Sequence, residues 1–218
     1  PMMGEGAIFP VDDDMIIIDP FRIPDYFARI KGCDFGFEHC AAGVELAYDS
    51  DQEIIYVIDS YKKAGELAPY HAAWFTKSNK DIPVAWPHDG LNTDKSGGGT
   101  VKDAYAQRGV NMLSKSARYP RVPGQDEKGG PQPQWPIIDQ VRDRMQTGRF
   151  KVFSNQQQWL EEKRNYHQKA AQDGESKPVA RNDDMLKATF YAVMMLRYAV
   201  PLTFFTTQRS SAPQQPIA

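Results

Sequence analysis

The sequence has little cysteine and no long, uninterrupted apolar run. Two cysteines, Cys33 and Cys40, are too few for a disulfide framework, and free thiols are typical of a reducing compartment. The apolar stretch at 190–202 is interrupted by Arg197 and falls short of a membrane span. The first residues lack the basic, apolar and small-residue order of a signal peptide. These absences predict a soluble, intracellular protein with no membrane partner.

A phosphate-binding loop of the type G-x-x-x-x-G-K-[ST] is also missing, which excludes a P-loop ATPase within this sequence. The net charge is only −2, so the whole molecule has no strong attraction for nucleic acid. The charge is uneven, however, because residues 101–151 contain ten Lys or Arg against five acids. Such a segment favours contact with phosphates, although a solvated surface of mixed charge explains the count equally well.

The length of 218 residues suits one domain with a full hydrophobic core. Residues 1–27 are interrupted by prolines and are interpreted as a lead-in or linker segment, and 28–200 as the domain. Residues 201–218 are rich in Gln, Ser and Pro and are expected to be a flexible tail. The segment 114–136 contains five prolines and three glycines, which predicts a long loop or a hairpin inserted in the domain.

Closely spaced strand-like segments open the domain and are followed by alternating helices and strands. The predicted strands are 29–35, 40–48, 53–61, 83–86, 110–113 and 150–153. The predicted helices are 66–79, 100–107, 137–147, 156–169 and 182–200, the last with Asn182 as N-cap. The first three strands are too close in sequence for parallel crossovers, so we expect an antiparallel meander. The element order predicts an α/β, ribonuclease H-like fold with a central mixed sheet flanked by helices.

Aspartates stand at the ends of elements that this fold would bring together. Asp34 ends the first strand, Asp89 follows the fourth strand, and the Asp183–Asp184 pair opens the last helix. Each has a structural explanation as a turn former or a helix-capping acid. Jointly they predict a carboxylate cluster at the sheet edge where α/β folds place ligands. Such a cluster suits two Mg²⁺ or Mn²⁺ ions in phosphodiester hydrolysis.

Motifs around these aspartates resemble those of a known family. They are Arg-Ile-Lys-Gly-Cys-Asp-Phe-Gly at 29–36, Pro-His-Asp-Gly at 87–90, and Trp-Leu-Glu-Glu at 159–162 followed by Asn-Asp-Asp-Met at 182–185. In this combination the sequence resembles the C-terminal nuclease domain of the large terminase subunit of tailed double-stranded-DNA bacteriophages. The resemblance extends from about Phe21 to Val200.

The resemblance implies a metal-dependent endonuclease that cuts concatemeric viral DNA during genome packaging in the host cell cytoplasm. It implies an ATPase domain in the same full-length protein, a small terminase subunit and the procapsid portal as partners. Residues 1–27 would then be the remains of the linker in an excised domain. The family's acidic cluster maps onto Asp34, Asp89 and the Asp183–Asp184 pair, with Asp184 expected as the direct ligand.

The resemblance does not account for the 114–136 insertion. As a hypothesis, Lys115, Arg118 and Arg121 guide duplex DNA to the site. Two other functions fit the same residues. One is a different ribonuclease H-like nuclease, such as a junction resolvase or a transposase core. The other is a non-catalytic docking module whose acids cap helices and form turns.

Overall fold

The computed structural model describes residues 6–36, 40–93, 99–119, 134–170, 176–179 and 181–203. The helices are α1 Asp13–Ile16, α2 Ala68–Lys77, α3 Val101–Ala106, α4 Trp135–Gln146, α5 Gln157–Asn165 and α6 Asp184–Met194, with 3-10 turns at His88–Leu91 and Leu196–Tyr198. The strands are β1 Ile17–Ile18, β2 Ala28–Asp34, β3 Ala41–Asp49, β4 Ile54–Lys63, β5 Val84–Ala85, β6 Phe150–Phe153, β7 Gln168–Ala170, β8 Ser176–Pro178 and β9 Val200–Pro201.

One mixed sheet forms the centre of the fold, with strands in the order β1-β6-β4-β3-β2-β5. The meander β2-β3-β4 is antiparallel, whereas β5 runs parallel to β2 and β6 runs parallel to β4. The short strand β9 pairs with the start of β2, and β7 pairs with β8 in a separate hairpin. The predicted mixed sheet with an antiparallel meander at its start is therefore confirmed.

Three of the later predicted elements are wrong in extent. In the described residues, the expected strand at 110–113 is reduced to a single bridge between Met112 and Val84. The helix expected over 156–169 ends at Asn165, because Tyr166 turns extended and inserts its ring beside Phe9 in the core. The chain then continues as the hairpin of β7 and β8 instead of further helical turns.

The last helix is shorter than predicted at both ends, since α6 spans only Asp184–Met194. Asn182 is not its N-cap. It adopts a left-handed backbone conformation with φ of 52°, which asparagine tolerates better than most residues, and Asp183 occupies the N-cap position. Beyond Met194 the chain forms a 3-10 turn and then pairs with β2 through β9.

Side-chain alternation along β2 divides its residues between the two faces of the sheet. Ile30 and Gly32 face α6, whereas Cys33 packs in a second cluster with Trp74 and Phe75 of α2. Gly32 allows α6 to lie directly on the strand, because a Cβ there would come within 1.9 Å of the Ala188 carbonyl oxygen. The same alternation places Asp34 on the face that α6 covers.

The segment before β2 is part of the packed structure. Ile8, Phe9, Val11 and Ile16 are buried in the main core, and β1 pairs parallel with β6. The division at 1–27, 28–200 and 201–218 stays a prediction, but the described part of 1–27 contributes to the same core as the domain. No helix in the ranges described here is long and apolar enough to cross a membrane.

The close approach of α6 to β2 gives a stability prediction. Gly32→Ala should lower the free energy of unfolding by about 3 kcal/mol, the upper range for overpacking, because the added methyl meets a backbone carbonyl. Gly99→Ala is the matched control, since the nearest atom to its Cβ would be the Asp103 Cβ at 3.8 Å. Urea denaturation compares the two variants, and equal stabilities would contradict this account of helix packing.

Candidate active site

Asp34 lies at the carboxyl end of strand β2, between β3 and β5, and is only 8% exposed. Burial raises the pKa of this carboxyl group well above its usual range, and the charges of Asp89, Asp184 and Asp183 raise it further. The Lys187 ammonium group opposes this shift. Asp34 is therefore an acid in a poorly solvated place, surrounded by other acids.

Asp89 reaches the same edge of the sheet from the next strand. It lies in the 3-10 turn after β5, and because β5 runs parallel to β2 the two strands end on the same side. The turn packs tightly against the end of β2, since a Cβ on Gly90 would meet the ring of Phe35 at 2.5 Å. The Asp89 residue is exposed as a whole, yet desolvation of its carboxyl group raises its pKa.

The first turn of α6 carries the other two predicted acids, and each contacts a different lysine. Asp183 is buried and its Oδ1 lies 3.0 Å from Nζ of Lys187, one helical turn along α6. Asp184 is half-buried, and its Oδ2 lies 2.7 Å from Nζ of Lys62 at the end of β4. Ammonium groups thus neutralise both aspartates.

Asp34 lies within electrostatic reach of the other three predicted acids, Asp89, Asp183 and Asp184. They are not drawn together as ligands: within the described residues, no three His, Cys, Asp or Glu side chains are placed to hold a metal ion. Carboxylates placed close together repel, and two of these four, Asp183 and Asp184, are paired with lysines. The donor set itself fits Mg²⁺ or Mn²⁺, since it consists of hard carboxylate oxygens.

Several residues near the acids were missed by the sequence reasoning. Lys187 lies four residues after Asp183, and this i, i+4 spacing in a predicted helix indicates an ion pair from the sequence alone. Lys62 and Glu162 meet at 2.6 Å although they are a hundred residues apart, so only the fold reveals their contact. Tyr119 and Tyr191 pack with ring centroids 6.0 Å apart, and burial, together with the charge of Asp34, raises both of their pKa values.

A groove with positive charge lies next to the turn of Asp89. It has a volume of about 690 Å³ and is lined by Trp86, Leu91, Ser114, Lys115, Ser116, Arg118, Gln140, Met194, Met195 and Arg197. Two of the predicted DNA-binding residues, Lys115 and Arg118, are among them, and Arg197 was not predicted. Arg118 contacts the Nδ1 atom of His88, the neighbour of Asp89, at 3.1 Å. Arg121 lies outside the described residues.

The sequence and the fold were compared with those of known proteins. The profile of the family described as "Terminase RNaseH-like domain" matches residues 31–196. The chain is 39% identical over 201 residues to the large terminase subunit of Salmonella phage P22. The aligned residues cover 91% of this chain and 38% of the P22 protein. The chain therefore spans about two fifths of the length of this relative.

Solved structures give the same result. The P22 large terminase nuclease domain superposes with a TM-score of 0.77 at 37% identity, covering 93% of this chain and 98% of that domain. The large terminase nuclease of thermophilic phage G20c with bound magnesium superposes with a TM-score of 0.57 at 15% identity, covering 87% and 97%. At that identity the G20c structure supports the fold alone. On the profile match and the identity to the P22 protein, this chain belongs to the terminase ribonuclease H-like domain family.

Proposed function

We propose that this chain is the nuclease domain of a phage large terminase and cuts double-stranded viral DNA by metal-dependent phosphodiester hydrolysis. The observation that carries the proposal is the buried Asp34, held at a sheet edge within electrostatic reach of three further aspartates. A buried carboxylate among other carboxylates is costly unless a cation offsets it. The 37% identity to the P22 nuclease domain supports the same reading.

Asp34, Asp89 and Asp184, with Asp183 close behind, are the residues that would hold the ions. Two divalent ions, Mg²⁺ or Mn²⁺, supply Lewis acidity at the attacking and leaving oxygens of the phosphodiester when bound. The large terminase nuclease of phage G20c, which shares this fold, has been solved with bound magnesium and with bound cobalt. Lys187 and Lys62 pair with Asp183 and Asp184 and hold these acids of α6 in ordered positions.

The groove beside Asp89 is the proposed path of the DNA backbone. Lys115, Arg118 and Arg197 are exposed, and none of the described residues that line the groove carries a carboxylate. Such side chains neutralise phosphates without reading sequence. Through its contact with His88, Arg118 connects this groove to the turn that carries Asp89.

The setting of the whole protein is part of the proposal. Because the chain corresponds to 38% of the P22 large terminase subunit, we infer that it works with an ATPase domain of the same protein. The small terminase subunit, the procapsid portal and a location in the host cell cytoplasm follow from the same inference.

The cost of the buried carboxylate predicts a pH-dependent stability difference. In the folded protein the pKa of the Asp34 carboxyl group is raised, whereas in the unfolded chain it has its ordinary value. As pH rises, this group therefore loses its proton at a lower pH in the unfolded chain than in the folded protein. The free energy of unfolding then falls between the ordinary and the raised pKa. Asp34→Asn removes this loss and should be more stable than the parent at neutral pH, with a smaller advantage in mild acid. Urea denaturation in EDTA at several pH values measures the free energy of unfolding of the variant and the parent, with exposed Asp51→Asn as the control. A difference between Asp34→Asn and the parent that does not change with pH contradicts the prediction.

The proposed ligands predict the loss of cleavage. Asp34→Ala or Asp89→Ala should lower the cleavage rate of duplex DNA in Mn²⁺ by more than about 100-fold, since outer-shell changes alone cost about 10–100-fold. Circular dichroism should show an unchanged fold, and Asp51→Ala should cut at the parent rate. If both ligand variants cut at the parent rate, the two-metal proposal fails. Parallel assays on a four-way junction and an RNA–DNA hybrid separate this function from other ribonuclease H-like nucleases.

The groove predicts the salt dependence of DNA binding. Each of Lys115→Ala, Arg118→Ala and Arg197→Ala should reduce the slope of log K against log salt by about 0.9 if its side chain neutralises one phosphate. Fluorescence anisotropy with duplex DNA and no divalent ion measures this in an Asp34→Ala background. Lys80→Ala is the control, because Lys80 is 64% exposed but lies beyond α2, away from the groove. An unchanged slope in all three variants rules out this path.

A further inference from the structure

Glu162 is a buried acid that the proposed chemistry does not use. It lies on α5, belongs to the Trp-Leu-Glu-Glu motif and is only 5% exposed, whereas its neighbour Glu161 is exposed. Burial raises its pKa to about 7, although hydrogen bonds and the charge of Lys62 lower it. An acid in such a place needs strong partners to be tolerated.

One carboxylate oxygen of Glu162 satisfies the start of α6. Its Oε2 atom accepts hydrogen bonds from the backbone N–H groups of Met185, at 2.9 Å, and Leu186, at 3.2 Å. These belong to the first turn of the helix, whose N–H groups have no partner within the helix. A negative charge there also interacts favourably with the helix dipole. Glu162 thus performs from α5 the task that an N-cap side chain normally performs.

The residue at the N-cap position does not perform it. Asp183 is a preferred N-cap residue type, but its side chain makes no capping hydrogen bond and pairs with Lys187 instead. The cap supplied by Glu162 therefore leaves the carboxylate of Asp183 available to the acidic cluster.

The other carboxylate oxygen of Glu162 reaches Asp184 through a lysine. Its Oε1 lies 2.6 Å from Nζ of Lys62, and the same Nζ lies 2.7 Å from Oδ2 of Asp184. Glu162 consequently fixes both the helical turn that carries the two aspartates and the cation that contacts the second one. Both carboxylate oxygens of Glu162 therefore contact groups that adjoin the Asp183–Asp184 pair.

We propose that Glu162 is a positioning residue for the carboxylate pair of α6. Its negative charge takes over the capping of the helix, so that neither Asp183 nor Asp184 is used as a cap, and their carboxylates pair with Lys187 and Lys62 within reach of Asp34. The inference rests on the proposed function, because it assigns the pair to ion binding.

Glu162→Gln tests the inference, with Glu161→Gln as the matched control. The amide keeps the size and one acceptor oxygen but removes the charge that caps α6 and pairs with Lys62. The apparent Mn²⁺ dissociation constant, measured by calorimetry without DNA, should increase about 10–100-fold in Glu162→Gln and stay unchanged in Glu161→Gln. In cleavage assays kcat should fall while KM for duplex DNA is retained.

Each variant is titrated at a temperature where circular dichroism shows it folded, so a loss of stability is not mistaken for a loss of ion binding. Parent-like Mn²⁺ affinity and kcat in Glu162→Gln overturn the positioning role. Asp34→Ala, measured alongside, separates this outcome from failure of the proposed function. If Asp34→Ala also binds Mn²⁺ and cuts DNA as the parent does, it is the ion site itself that is wrong.

Discussion

The contact between α6 and β2 at Gly32 is the constraint on which the rest of the structure depends. Because Gly32 has no side chain, the backbone of α6 lies directly against β2. The buried face of the helix covers β2 and its neighbour β3. The first turn of the helix is thereby fixed relative to the carboxyl end of β2. The acids of α6 lie near Asp34 because the backbones of the helix and the strand pack together. Like charges repel, so electrostatic forces alone would not bring these acids close.

Charge balance is the second requirement, and two lysines contribute to it. Lys187 pairs with Asp183 and also interacts with Asp34, while Lys62 pairs with both Asp184 and Glu162. A cluster of this kind would otherwise repel itself or hold protons. The two lysines thus hold the carboxylates of Asp183 and Asp184 in defined positions.

The meander β2-β3-β4, the order of α2 and β5 after it, and the location of Asp34 and Asp89 at strand ends could be predicted from the sequence. These features depend on local patterns: alternation, turn chemistry and short spacings that exclude crossovers. The ends of the later helices could not be predicted, since Tyr166 leaves its helix to pack against Phe9, a residue far away in sequence. The capping of α6 by Glu162 was hidden for the same reason, because Asp183 and Asn182 are themselves preferred N-cap types.

Residues 6–9, which precede α1, pack against the same core. Ile8 donates its backbone N–H to the Tyr166 carbonyl, Gly6 accepts from Gln168, and the ring of Phe9 lies 6.3 Å from that of Phe190 on α6. Residues 6–9 are therefore attached both to the segment that follows α5 and to the helix that carries the acids, so the orientation of this first segment is set by the same core that positions the site.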